Sequence, residues 1–186
     1  MFDFAERAQY VLPTKGFSGV GRKNHCATMF QKSMVVYGGQ SDNGTYLNEM
    51  LVLHLDLLEW VKLTVKNGMQ PFIQGACCNV SNIGKVAYAK SDSVQEGVYF
   101  FGGKNEQGKL TNRLRLFKPN TIDMKVVHGE FTSIKISGTP RAARYGHSMA
   151  YLPNSNCLIV VGGRNDETFK DTGSPFLNDM HLFLLD

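Results

Sequence analysis

The stretch VVYGGQSDNGTYLNEMLVLHLDLLEW, residues 35–60, decides the architecture. An apolar run stops at a glycine pair, a polar loop follows, an asparagine opens a second apolar run, and a tryptophan closes the unit. Glycine permits backbone conformations and close approaches that a side chain would block, so the pair reads as the punctuated end of a strand. It recurs. VYFFGG ends at Gly103 and LIVVGG at Gly163, each 64 and 60 residues after the preceding pair. A period of this size marks a repeat architecture, and Gly38, Gly39, Gly102, Gly103, Gly162 and Gly163 are its structural motif.

The similarity extends in both directions. Upstream lie GRKNHCATMF, IQGACCNVSN and ARYGHSMAYL, aligned with His25, Ala76 and His147 in register. This places Cys26, Cys77 and Ser148 at one equivalent position, read as small packing residues on inner strands. Downstream, Asn48, Asn112 and Asn178 each open an apolar run, and EWVKLTVKNGMQP matches FTSIKISGTP, setting Trp60 opposite Phe131. Each unit therefore holds four short strand-like runs separated by turn residues. No stretch sustains a 3.6-residue period. Runs apolar on both faces suit sheets packed between two neighbours, and four-stranded units at this period predict blades of a β-propeller.

The pattern resembles the kelch repeat: Arg-x-x-His (Arg22, His25) or Arg-x-Gly-His (Arg144, His147), the diglycine, a polar-apolar strand and a tryptophan (Trp60). Residues 37–60 match closely. The second unit lacks the Arg and His, with Gln74 and Ala76 there, and has a long third-to-fourth strand connection through Pro119–Glu130. The third stops at Asp186, before a fourth strand. The expected fold is all-β, a partial β-propeller of about three four-stranded kelch-type blades. Residues 1–21 form an outer strand of a neighbouring blade and a linker, 22–68 blade I, 69–138 blade II, and 139–186 blade III without its last strand. Three blades cannot close a ring, so two apolar faces stay open. Either the chain is a segment of a longer kelch protein, or a homodimer completes a six-blade ring, each copy donating its Ala8–Pro13 strand.

Composition narrows the function. Of 186 residues, 42% are hydrophobic and 19% charged, which fits a folded chain. No apolar stretch approaches a membrane span, and MFDFAERAQY lacks a basic segment followed by an apolar one, so no signal peptide is expected and the expected location is cytoplasmic. Cys26, Cys77, Cys78 and Cys157 include no metal-type CxxC and are expected to be reduced. Asn43-Gly-Thr45 and Asn79-Val-Ser81 match the short, common glycosylation triplet. The net charge of +4 mildly favours acidic partners, but the basic residues are scattered and argue against nucleic acid.

Antiparallel strands alternate their connections between the two ends of a propeller. The loops after the diglycines (40–47, 104–111, 164–177) therefore share a rim with the blade-to-blade linkers (14–21, 66–74, 137–143). Ligands of many kelch propellers bind this rim, so the resemblance points to a partner protein or peptide, acidic in character. Lys104, Asn105, Lys109, Arg141, Arg164, Phe169, Lys170 and Phe176 are the candidate contacts. Cations beside exposed aromatics suit such a surface. Arg22, His25, Arg144 and His147 are expected to tie blades together. No GxSxG, HExxH or P-loop occurs, and the diglycines lack GxGxxG spacing, so neither catalysis nor a cofactor is expected. The expected role is a non-catalytic scaffold or adaptor. The alternatives are a kelch segment of a multidomain phosphatase or ubiquitin-ligase adaptor, and a galactose-oxidase-like copper enzyme. The latter needs Tyr and His ligands with a Tyr–Cys cross-link, a constellation only faintly suggested by Tyr145 beside His147.

Overall fold

A computed structural model describes residues 2–3, 5–17, 19–81, 95–138 and 142–185. Two short strands, β1 (Phe2–Asp3) and β2 (Ala8–Gln9), pair antiparallel at the start. Blade I follows as β3 (Cys26–Phe30), β4 (Ser33–Tyr37), β5 (Met50–His54) and β6 (Glu59–Leu63), an antiparallel meander. A short β7 (Val65–Lys66) leads to blade II: β8 (Ala76–Val80), β9 (Gly97–Phe101), β10 (Leu114–Ile122) and β11 (Lys125–Ile134). Blade III has three strands, β12 (Ser148–Leu152), β13 (Cys157–Val161) and β14 (Met180–Leu184). The one α-helix among the described residues, α1 (Phe169–Thr172), lies in the loop between β13 and β14. This is the partial propeller that the repeat predicted.

Strands β5 and β9 are buried on both faces, because each middle strand is sandwiched between neighbouring layers. Between blades I and II, Tyr37, Phe72, Phe100 and Phe131 meet with ring centroids 5.4–6.5 Å apart. Their tilted and edge-on contacts suit the charge distribution of aromatic rings. Between blades II and III, Tyr99, Phe101, Leu114 and Leu116 meet Leu158, Val160 and Phe183.

The linkers repeat as well. Lys66 pairs parallel with Glu130 on the outer edge of β11, and Lys15 pairs parallel with Glu59 on the outer edge of β6. Each linker runs from the outer edge of the blade it introduces towards that blade's first strand. Residues 14–22 thus lie where residues 65–72 lie one blade later, with Phe17 edge-on to Trp60 at 5.5 Å. Val36, Leu51 and Leu53, on the face of blade I that has no preceding blade, are buried.

Two expectations need correction. The ladders place Cys26 opposite Tyr37, Ala76 opposite Phe101 and Ser148 opposite Val161, so the equivalent residues are Cys26, Ala76 and Ser148. The expected alignment of Cys26 with Cys77 is one residue out of register. Gly75 stands at the His position and Phe72 at the Arg position. The preceding residue has positive φ in every unit (Asn24, Gln74, Gly146), which fixes the register independently of residue type. Second, Pro119–Glu130 is not a long connection. Most of it is ladder: β10 and β11 pair through Pro119 opposite Gly129, with a bulge at Asn120/Thr121. Asp123 and Met124, both at positive φ, form a tight turn at the tip, the geometry that two-residue hairpins favour. The tip reaches back to blade I. Lys125 pairs with Asp56 at 3.1 Å, the Val126 N–H donates to Ser33 Oγ at 3.4 Å, and Val126 is fully buried.

Candidate functional site at the diglycine rim

The glycine pairs form the floor of this rim. The first glycine of each has φ between +66° and +71°, the second between +92° and +104°. The Gly39 N–H donates to the Phe72 carbonyl at 3.1 Å, and the Gly103 N–H to the Arg144 carbonyl at 2.7 Å. Both bonds cross from one blade to the next. Two more run the other way: Gln74 N–H to the Asn24 carbonyl at 2.9 Å, and Gly146 N–H to the Gln74 carbonyl at 2.8 Å. A Cβ on Gly38 would lie 2.7 Å from the Phe72 carbonyl oxygen, and one on Gly102 2.6 Å from that of Arg144. The pairs exist so that successive blades can touch through their backbones.

Arg144 is wholly buried. Its Nη1 donates to the Gly162 carbonyl at 2.9 Å, and its guanidinium holds both oxygens of Asp179 at 2.5 and 2.8 Å. Two parallel charge-assisted bonds fix orientation as well as distance. These bonds, aided by one from His181, hold the Asp179 carboxyl down at about 2. Arg22 repeats the arrangement in blade I, with the Gly38 carbonyl at 3.1 Å and Glu49 at 2.8 Å. In blade II, Phe72 fills the slot and joins the aromatic cluster. His147 is buried against Phe101, ring centroids 5.4 Å apart. Burial, with the Arg144 charge nearby, pushes its pKa down to about 4. His25, in the same place in blade I, is exposed.

Above this floor stands a three-residue bridge per blade: Lys23–Gln40–Tyr46, Ile73–Lys104–Leu110 and Tyr145–Arg164–Phe176. The last two converge. Lys104 Nζ sits 5.3 Å from the Tyr145 ring centroid, and the Arg164 guanidinium 5.6 Å from that of Phe176. Asp166 accepts from Arg164 Nε at 2.6 Å and from the Tyr145 hydroxyl at 3.1 Å. Phe176 and Phe169 are exposed at 67% and 57%. Lys104, Arg164 and Phe176 are therefore brought together through Tyr145 and Asp166. Phe169 and Lys170 are exposed on α1. Asn105 differs in character: its side chain accepts the Lys109 N–H at 2.8 Å and its backbone N–H donates to the Lys109 carbonyl, so it closes its own loop. Arg141 lies outside the described residues.

Tyr145 and Asp166 belong to the cluster and were not among the candidates. The signal was present, since Tyr145 immediately follows the Arg that enters the diglycine slot. Asp166 matters for charge: it pairs with Arg164, which leaves less positive potential at the rim than a count of cations suggests. Below the rim, the first strands of the three blades line a groove of about 500 Å³ that includes Met29, Cys77, Asn79, Met149 and Tyr151. All four cysteines are free. Among the described residues, no three His, Cys, Asp or Glu side chains come together as a metal site, and no helix is long and apolar enough to cross a membrane.

Residues 1–183 match the family described as the KLHDC2/KLHL20/DRC7 kelch-repeats domain. The chain is 25% identical over 185 residues to acyl-CoA-binding domain-containing protein 4 of Arabidopsis thaliana, covering 96% of this chain and 24% of that one. It is 27% identical over 168 residues to acyl-CoA-binding domain-containing protein 6 of Oryza sativa subsp. japonica, covering 89% and 22%. It thus spans about a quarter of the length of these relatives. Among solved structures, YjhT is similar with a TM-score of 0.63 at 15% identity, covering all of this chain and 48% of that one.

Proposed function

Because the chain belongs to the kelch-repeat family, we propose that it is a non-catalytic protein-interaction module whose diglycine rim binds a partner protein or peptide. One observation carries this reading: two exposed or half-exposed aromatic rings, Tyr145 and Phe176, each lie beneath a cation at neighbouring blades of one rim. Aromatics and arginine are the residue types that dominate binding energy at protein interfaces. Phe169 extends the surface along α1, and Lys104, Lys109 and Lys170 favour an acidic ligand. The expected setting is cytoplasmic.

The test is selection of a random peptide library on the purified chain, followed by affinity measurement of the enriched peptides. Arg164→Ala and Phe176→Ala are expected to weaken binding at least tenfold, about 1.4 kcal/mol each. Enriched peptides should carry Asp or Glu. Peptides that bind both variants as tightly as the original chain sink the rim assignment. Affinity lost without acidic enrichment keeps the rim and removes the acidic ligand.

The length of the relatives favours a second, compatible reading. The chain covers a quarter or less of each, so a kelch segment within a multidomain protein, such as a phosphatase or ubiquitin-ligase adaptor, is a natural context. The copper-enzyme alternative gains no support from the cluster, where the Tyr145 hydroxyl donates to Asp166.

A further inference from the structure

The arginine of the rim is already occupied by a carboxylate. Asp166 Oδ1 accepts from Arg164 Nε at 2.6 Å and lies 2.6 Å from Nη2 as well. Its Oδ2 accepts from the Tyr145 hydroxyl at 3.1 Å. Lys104, whose ammonium lies over the Tyr145 ring, adds its charge and helps to keep Asp166 ionised. These groups come from blades II and III and surround one carboxylate at the junction that the two blades share.

The loop does not need that carboxylate to hold its shape. Ser41, Asn105 and Asn165 take one position in the three loops, directly after Gln40, Lys104 and Arg164. Each donates its backbone N–H across its own loop, to the carbonyls of Thr45, Lys109 and Pro175. Asn165 is buried and also accepts the Glu167 N–H at 2.9 Å, while its carbonyl takes the Thr168 hydroxyl at 2.8 Å. An exposed acid follows in every loop: Asp42, Glu106 and Asp166. Among the described residues, Asp166 is the one of these three that pairs with a cation. Arg164 and Asp166 are about half exposed, at 45% and 52%, so water screens the pair and holds its contribution down. A pair so weakly held, on a loop fastened by other bonds, exchanges readily for an external carboxylate.

We infer that Asp166 is an internal competitor at the rim: in the free chain it holds the Arg164 and Tyr145 donors, and a carboxylate side chain of the acidic ligand displaces it and takes the same donors. This inference rests on the rim reading proposed above. The contacts define the ligand group as a carboxylate with one oxygen for the guanidinium and one for the hydroxyl. Asp166 is tethered, which gives it a high effective concentration. A lone acidic residue therefore competes poorly, and a run of acids that also reaches Lys104 competes better.

The probe is an acetylated and amidated tetraglutamate peptide, titrated into the purified chain with binding read from amide shifts in NMR spectra. Asp166→Asn is expected to tighten binding about threefold to fivefold, the size of an exposed ion pair released. Glu167→Gln removes the same charge one residue away and should leave binding nearly unchanged. Most of the gain should vanish when Arg164→Ala is combined with Asp166→Asn. Binding that Asp166→Asn fails to tighten, or that Glu167→Gln tightens equally, overturns the competitor and leaves the rim reading standing. Absence of binding by both the unaltered chain and Asp166→Asn removes the acidic rim itself, and the inference with it. If Asp166→Asn fails to fold, the unaltered chain decides. Its Asp166 carboxyl carbon resonance should shift as peptide is added, and a resonance that stays in place at saturation overturns displacement.

Discussion

His25 and His147 hold one position in two repeats and live in different surroundings. The ring of His147 is buried against Phe101 in the preceding blade; His25 has no preceding blade and is exposed. Gly162 differs from Gly38 and Gly102 in the same way, at the opposite face. The residue types are the same, so the contrast isolates what a neighbouring blade contributes. In this architecture the repeat is not the unit of stability; the junction between repeats is.

Substituting the glycines breaks the comparison most forcefully. Gly102→Val places a branched side chain at φ +68° and drives its Cβ into the Arg144 carbonyl. Strain and overpacking together are expected to cost about 2–6 kcal/mol. At Gly162 a Cβ meets only the Leu177 carbonyl oxygen, at an ordinary 3.5 Å, so Gly162→Val should cost only the conformational strain, about 1–3 kcal/mol. Gly38→Val and Gly39→Val should behave like Gly102→Val. Denaturant midpoints with unchanged slopes would measure these effects, and equal losses at Gly102 and Gly162 would contradict the junction argument.

A smaller effect is expected at the arginines. Arg144→Ala leaves a buried hole and an unpaired Gly162 carbonyl, while Asp179, 35% exposed, keeps His181, and it should cost about 1–3 kcal/mol. Arg22→Ala should cost less, since Arg22 holds Glu49 through one nitrogen whereas Arg144 holds Asp179 through two. A thermal shift for Arg22→Ala as large as that for Arg144→Ala would show that the open face is as tightly held as the closed one.

The subtlest contrast is in pH. The pKa of His147 is lowered to about 4, so the folded state binds its proton less readily than the unfolded chain does. Its contribution is fully present above the unfolded value near 6.5 and is lost as pH falls through 4. Asp179, lowered to about 2, acts in the same direction in more acid solution: its contribution is present above the unfolded carboxylate range and lost as pH falls through 2. The pKa of His25, though the residue is exposed, is lowered as well, by desolvation of the part of its ring that packs on the protein and by the Arg22 charge. Proton NMR should show His147 titrating at lower pH than His25, and His147→Phe should flatten the decline in stability between pH 6.5 and 4. Coincident titrations would mean that blade II does not cover His147.

The blades were legible because the glycine pairs punctuate them and backbone contact between blades tolerates no substitute. The rim was legible in part. Lys104, Arg164 and Phe176 follow their diglycines at positions the ladder fixes, whereas Tyr145 joins them through a bridge between segments 19 residues apart. The one-residue slip at Cys77 arose from matching like residues, while the register is set by backbone conformation at Gln74, a residue with no special claim to positive φ. The hairpin of blade II was hidden by Pro119, which cannot donate to a ladder and so reads as loop.

That hairpin has a temporal consequence. Ser33 waits for a partner 93 residues downstream, and the Lys32 N–H for the carbonyl of Met124 at its tip. A chain emerging from the ribosome can form the ladder of blade I early, yet the far end of that blade stays unfastened until residue 126 has appeared. Blades I and II would then lock as one cooperative body, and blade III would add to it last.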